Sequence, residues 1–255
     1  MHGTLAVTSV HDRYLGVMPP HRRSLRESYH WSQCTILFNK WLSQPLTEEY
    51  KDALWATAGM LAVLAFSSSH ATCLGEAWPL HIPDSSDLEW LRLGAGKSAL
   101  RELVDPLRRT SVFRTMSKSF HMDQPLPTKG IESISDELVQ ICGLDKSSTP
   151  DSNPYFAVAH SLARLPETAT SEASKGQVMM ASARMNHDFA VCLERKDPVA
   201  LLLLCLWYVK ARGSRWWIDV RARFEIPAIC TYLQRHHRDN SAIQALIPWK
   251  EAGLV

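Results

Sequence analysis

The sequence predicts an all-α protein, a single-domain bundle of roughly eight to ten helices that takes up residues 1–255. Three observations lead to this fold class. Apolar residues recur at helical spacing along most of the chain, whereas no alternating strand pattern persists. Glycine is sparse, at 11 of 255 residues. Several helix starts are marked by a capping residue that is followed by proline.

The first four helices follow from periodicity and from local start and stop signals. Thr47 opens the third, which is apolar on all sides over Ala53–Phe66 and is therefore expected in the interior. Ser86 opens the fourth, which is expected to break near Gly94 and to stop before Pro106. The apolar stripes of the first two helices are Leu5, Val10 and Tyr14, and then Leu25, Tyr29, Cys34, Phe38 and Trp41.

The second half of the chain carries stronger boundary signals. Asparagine or aspartate followed by proline is a helix start, because the side chain caps the helix and proline fits its first position. A glycine just after an apolar run is a typical C-terminal cap. The predicted cap is Gly143, and the predicted starts are Asn153-Pro154 and Asp197-Pro198. The predicted helices include one over Val178–Arg195, the Leu-rich Pro198–Val209, and a last helix that Pro227 kinks or divides.

Composition excludes several classes of protein. A hydrophobic content of 45% with 21% charged residues is that of an ordinary globular protein. The net charge of +2 gives no global attraction to nucleic acid or anionic membrane. The most apolar runs are shorter than the ~20 residues that a membrane span needs, so no span is expected. Six scattered cysteines without C-x-x-C spacing favour a reducing compartment, either nucleus or cytoplasm.

The stretch LRLGAGKSAL resembles a phosphate-binding loop but lacks the required glycine. Such a loop needs glycine five residues before the Gly-Lys-Ser, and Leu91 occupies that position. We therefore interpret Gly94 and Gly96 as a break between helices, with Lys97 in solvent.

Motifs for catalysis or metal binding are absent from the sequence. It contains no H-E-x-x-H and no G-x-S-x-G, so no catalytic residue, metal site or cofactor is predicted. His160 lies in an apolar helix, where a core histidine bonded to a backbone carbonyl is favoured over a catalytic one. Sequence-specific DNA binding is not expected either, because base readout requires an element placed in a groove.

The two most apolar helices predict a hydrophobic ligand. A helix that is apolar on every side must be covered by protein or by a bound molecule. We expect a hydrophobic small molecule between Ala53–Phe66 and Pro198–Val209; the alternative is that these residues only pack the core. The expected lining residues are Trp55, Met60, Leu203, Trp207 and Trp217.

An ordered set of segments resembles the C-terminal regulatory domain of fungal zinc-cluster transcription factors of the sterol uptake control protein type. The resemblance spans about Leu5 to Trp249. The segments are ESYHWSQCTILFNKW, ALWATAGMLAVLAF, SDLEWLRLGAGK, Pro-Leu-Arg at 106–108, ALLLLCLWYVKARGSRWWIDVRAR, and AICTYLQRHH with AIQALIPW.

The resemblance implies an all-helical domain that binds a sterol or a similar hydrophobic ligand, dimerises and regulates transcription. The six-cysteine zinc cluster of that family is missing, so the chain is expected to begin inside the regulatory domain. The first hypothesis is a non-enzymatic regulator, a homodimer or partner-bound chain, in a fungal secondary-metabolite pathway. The second is a repurposed cyclase or isomerase that folds a polyene or terpenoid in its apolar pocket. The third is a truncated gene product.

Overall fold

The computed structural model describes residues 1–18, 23–69, 71–116, 125–167 and 171–253. These residues form eleven α-helices and two short 3₁₀ helices and no strand, which confirms the all-α fold class. The α-helices are α1 His2–Tyr14, α2 Leu25–Leu42, α3 Glu48–Phe66, α4 Glu89–Val104, α5 Asp136–Cys142, α6 Phe156–Arg164, α7 Glu172–Ser182, α8 His187–Glu194, α9 Pro198–Ala211, α10 Trp216–His236 and α11 Ser241–Leu246; the 3₁₀ helices are Leu74–Glu76 and Val112–Met116.

The chain forms two compact units. The first contains Met1–His70 and Ser85–His121, and the second contains Ala71–Asp84 and Met122–Val255. Among the described residues, no helix combines the length and apolarity needed to cross a membrane.

Several helix boundaries follow the predicted capping signals. The Asp197 carboxylate accepts hydrogen bonds from the backbone N–H groups of Val199 and Ala200, and Pro198 occupies the first turn of α9. Gly143 ends α5 with a left-handed backbone at φ 59°. Thr47 immediately precedes α3, and α4 ends before Pro106.

The predicted break at Gly94 is wrong, because α4 runs through both glycines. Two interior glycines cost about 1 kcal/mol each relative to alanine. The buried side chains of Leu91, Leu100 and Val104 anchor the helix on either side of them and offset that cost. The helix also begins at Glu89, after a turn at the predicted start.

The expectation that Lys97 lies in solvent is also wrong. Its Nζ atom is 4.9 Å from the centroid of the Trp55 ring, and burial lowers the pKa of its ammonium group. The helical position of residues 94–98 agrees with the exclusion of a phosphate-binding loop, because the backbone N–H groups are directed along α4.

Two predictions in the second half need correction. Val178–Arg195 is not one helix: α7 ends at Ser182, and the Asn186 side chain starts α8 by accepting a hydrogen bond from the backbone N–H of Phe189. Pro227 does not divide the last helix, since α10 continues through it. The neighbouring Ile226 and Ala228 are fully buried, and this packing offsets the hydrogen bond that proline removes.

Each unit has its own core. In the first, Trp55, Ala58, Leu100 and Val104 form a cluster between α3 and α4. In the second, α9 lies at the centre and packs against α6, α7, α8, α10 and α11. The side chains of residues 201–204, all leucine, are completely buried there.

Candidate apolar pocket

A cavity of about 180 Å³ lies in the first unit, between the start of α1, the second half of α2 and the part of α3 from Tyr50 to Met60. Most of its lining side chains are apolar or aromatic. Leu37, Tyr50 and Ala53 are exposed, so the cavity has a rim at the surface. The lining residues are Met1, His2, Gly3, Cys34, Leu37, Phe38, Trp41, Tyr50, Ala53, Leu54, Thr57 and Met60.

One wall of the pocket is aromatic. The rings of Trp41 in α2 and Tyr50 in α3 lie with centroids 4.1 Å apart at an interplanar angle of 36°. Phe38 lies one turn before Trp41 on the same helix. Rings held in this way offer a large contact area with little conformational entropy to lose when a ligand binds.

Gly3 allows α1 to approach the sulfur atoms at one end of the pocket. A Cβ atom at this position would lie 3.0 Å from Met60 Sδ and 3.2 Å from Cys34 Sγ. Both distances are tighter than ordinary van der Waals contact. The missing side chain therefore sets how closely α1 covers this part of α2 and α3.

Few polar atoms enter the pocket. His2 Nδ1 lies 2.9 Å from His30 Nδ1, so the N–H of one imidazole donates a hydrogen bond to the ring nitrogen of the other. Desolvation lowers the pKa of His30, and the neighbouring His2 and Arg26 lower it further. The Thr57 hydroxyl donates to the Ala53 carbonyl oxygen at 2.7 Å, which satisfies it within α3. The pocket is thus mainly apolar, and its lining includes the His2 imidazole, whose partner His30 lies outside the lining.

The structure places the five predicted lining residues in two different units. Met60 lines the pocket of the first unit, whereas Trp55 packs in the α3–α4 core and is 7% exposed. In the second unit, Leu203 and Trp207 are buried, and Trp207 Nε1 donates to the Val178 carbonyl oxygen at 3.1 Å. Trp217 is half-buried and packs edge-on against Trp216.

Two buried glutamates were missed by sequence reasoning. Glu27 is completely buried and receives two hydrogen bonds from the Arg13 guanidinium, at 2.8 and 2.9 Å, which join α1 to α2. Glu225 accepts hydrogen bonds from the Tyr208 hydroxyl and from Arg221, both at 2.7 Å. The Arg221–Glu225 spacing of four residues could have indicated the second pair, but only the fold brings Arg13 and Tyr208 to their partners.

His160 has the role that the sequence favoured. It is buried, and its Nε2 atom lies 3.1 Å from the carbonyl oxygen of Gly130, where the ring N–H donates. Burial lowers its pKa, and the ring packs on Phe156 with centroids 4.4 Å apart. This arrangement confirms a structural histidine.

In the five described ranges, no group of three or more histidine, cysteine, aspartate or glutamate side chains is close enough to hold a metal ion.

Comparison with known proteins gives no match for this chain, whether with protein families, curated sequences or solved structures. What can be said of its function therefore depends on its own side chains, and the apolar pocket of the first unit is the site with the most defined chemistry.

Proposed function

We propose that this chain is a regulatory domain that binds a hydrophobic small molecule in the pocket formed by α1, α2 and α3. The observation that carries the proposal is a cavity of about 180 Å³ with a mainly apolar and aromatic lining. Pockets for small molecules are typically concave and apolar with few polar groups. The resemblance to fungal transcription-factor regulatory domains supports the regulatory role in this proposal. In that role, ligand binding is transmitted through a homodimer or a partner in the nucleus.

The volume narrows the class of ligand. An apolar cavity of roughly 150 Å³ accommodates benzene, whereas drug-sized ligands occupy about 300–1,000 Å³. A cavity of 180 Å³ therefore fits a monocyclic terpenoid or a short acyl chain. A sterol would have to leave much of its ring system outside, beyond the exposed rim at Leu37 and Ala53.

A thermal-melting screen tests the proposal. A ligand that binds only the native state stabilises it by about 2.7 kcal/mol at a concentration of one hundred times Kd. For a chain of this size, that corresponds to a rise in Tm of roughly 5–10 °C. We expect monoterpenoids and medium-chain fatty acids to raise Tm, and sterols to raise it less.

A variant in which a larger side chain fills the pocket provides the critical test. Ala53 is exposed at the rim, so Ala53→Phe adds a ring to the cavity without removing a core contact. It should abolish the ligand-induced shift in Tm while the unliganded protein melts near the wild-type temperature. Ala99→Phe is the matched control, because Ala99 is an exposed alanine of α4 that does not line the cavity. The proposal fails if no apolar compound raises Tm, or if both variants respond like the wild type.

The imidazole pair favours a second candidate function. His2 lines the apolar pocket and shares a hydrogen bond with His30, which lies outside the lining, so general acid–base chemistry on a bound polyene or terpenoid would be placed at His2 with His30 as its partner. The two candidates differ in the fate of the ligand. An isomerase or cyclase converts the bound compound, and His30→Phe should stop conversion while binding persists; a regulatory domain returns the compound unchanged, as chromatography after incubation would show.

A further inference from the structure

A larger cavity, of about 420 Å³, lies in the second unit, where the segment before Asp84 meets the last two turns of α10. This volume is within the range that suits drug-sized ligands, roughly 300–1,000 Å³. Its chemistry differs from that of the first-unit pocket, because basic side chains line it together with apolar ones. The lining residues are Leu74, Gly75, Pro79, Leu80, Lys196, Tyr232, Arg235 and His236.

Three basic side chains are found in the lining of this cavity. Lys196, Arg235 and His236 all contribute to the lining, and none of the described lining residues is acidic. Throughout the described ranges, Arg235 has no hydrogen-bond or ion-pair partner. An unpaired guanidinium beside a lysine is well suited to an anion, because it can bind carboxylate or phosphate oxygens in a bidentate manner.

Lys196 is held in position at the edge of the cavity. Its Nζ atom donates to the Pro79 carbonyl oxygen at 2.6 Å and lies 5.5 Å from the centroid of the Tyr232 ring. These two contacts fix the position of the ammonium group at the edge of the cavity. Lys196 also has a left-handed backbone, at φ 54°, in the connection that leads from α8 to α9.

The remaining surface of the cavity suits a flat apolar group. The Tyr232 ring is half-buried and packs on His236 with centroids 4.5 Å apart. Leu74, Pro79 and Leu80 add apolar side chains to the lining. A ring that enters here can stack on tyrosine while its charged substituent reaches the basic side chains.

We propose that this cavity binds a planar organic anion, an aromatic or otherwise flat ring that carries a phosphate or carboxylate group. The inference does not depend on the proposed function, because it concerns the second unit and a negatively charged ligand, whereas the proposed function concerns the first unit and a hydrophobic one. The competing explanation is that Arg235 and His236 only complement the negative end of the α10 helix dipole. That explanation requires no ligand, so a titration that measures ligand binding distinguishes it from the proposal.

The experiment is a calorimetric titration with three probes at physiological salt: 1-naphthyl phosphate, 1-naphthol and inorganic phosphate. The protein is the full chain with Ala53→Phe, so that the first-unit pocket is filled. We expect saturable binding of 1-naphthyl phosphate, and binding of each partial probe weaker by about tenfold or more, since each lacks either the charge or the ring. Equal affinity for 1-naphthol would overturn the proposal, as would no saturable binding of 1-naphthyl phosphate up to millimolar concentration.

Charge-removal variants locate the site. Arg235→Ala should weaken binding of 1-naphthyl phosphate by about tenfold, because one charge-assisted pair is lost. Arg238→Ala is the matched control, since Arg238 is exposed three residues later and does not line the cavity. Both arginines are exposed, so neither variant should change Tm. Equal affinities of the two variants would assign the binding to non-specific charge and contradict the proposal.

Discussion

The two most apolar helices of the chain, α3 and α9, are covered to very different extents. In α9, residues 200–204 are completely buried, and Trp207 is 1% exposed. In α3, Ala53 is exposed, Met60 is half-buried, and a cavity lies beside the helix from Tyr50 to Met60. The neighbours within each unit account for this difference: α9 packs against α6, α7, α8, α10 and α11, whereas α3 packs against α1, α2 and α4.

This comparison shows that an apolar helix sequence predicts shielding of the helix from water, but not whether protein or a ligand provides it. Around residues 200–204 of α9 protein side chains exclude water completely, and the Trp207 indole N–H donates to the Val178 carbonyl oxygen. Beside α3, from Tyr50 to Met60, the neighbouring helices leave about 180 Å³ unfilled. The two helices are therefore expected to respond differently to truncation and to ligand.

The largest expected effect is at Trp207. Trp207→Ala removes a fully buried ring and the donor to the Val178 carbonyl oxygen, so it should lower the free energy of unfolding by about 3–5 kcal/mol. Met60→Ala enlarges a cavity that already exists beside a half-buried side chain, and we expect a loss below about 2 kcal/mol. Urea denaturation measures both. Similar losses would show that α3 is packed as closely as α9.

The two buried glutamates give the next comparison. Glu225→Ala leaves the buried Arg221 guanidinium without this carboxylate, and we expect a loss of about 3 kcal/mol in the free energy of unfolding. Arg13→Ala in the first unit should cost less, about 2 kcal/mol, because Arg23 Nε lies 3.6 Å from the same Glu27 carboxylate and remains as a second cation.

Denaturation of both variants, together with Glu225→Gln, checks this ranking. Glutamine keeps an oxygen that can accept from Tyr208, so Glu225→Gln should be less destabilised than Glu225→Ala. An Arg13→Ala loss equal to or larger than that of Glu225→Ala would show that Arg23 does not compensate.

The smallest expected effect is the pH dependence that His160 contributes. Burial lowers the pKa of this imidazole below its ordinary value near 6.5; the hydrogen bond to Gly130 and the charge of Glu132 raise the pKa, and Arg164 lowers it, each to a smaller extent than burial. Because the folded-state pKa is depressed, the stabilising contribution is complete above about pH 6.5 and is lost as pH falls through the folded pKa.

Comparison of wild type with His160→Gln isolates this contribution. Glutamine can donate to the Gly130 carbonyl oxygen but does not titrate. The difference in free energy of unfolding between the two proteins should therefore change between pH 7.5 and pH 5, in the direction that favours the variant at low pH. A constant difference over this interval would contradict the prediction.

The sequence predicted most of the helices because local signals carry that information. The Asp197-Pro198 start and the Gly143 cap are formed by residues within one turn of the boundary, and both are found as expected. The break predicted at Gly94 failed because anchoring contacts made by side chains elsewhere on α4 decide whether a glycine interrupts a helix. Local propensity does not contain those contacts.

The candidate site was predicted less well, because a cavity is the part of space that side chains leave empty. Met60 was identified through the apolar character of its helix, and it does line the pocket. Trp41 and Tyr50 form the aromatic wall but lie on different helices, so no pattern along the chain pairs them. The same holds for Lys196 and Arg235, which line one cavity only because the connection from α8 to α9 lies against Tyr232 near the end of α10.

The close approach of α1 at Gly3 has an evolutionary consequence. A methyl group there would lie 3.0 Å from the Met60 sulfur and would displace that side chain by a few tenths of an ångström. The identities of positions 3 and 60 are therefore coupled, although 57 residues separate them. Among descendants of this sequence that retain an open pocket, we expect alanine at position 3 to be accompanied by a shorter side chain at position 60.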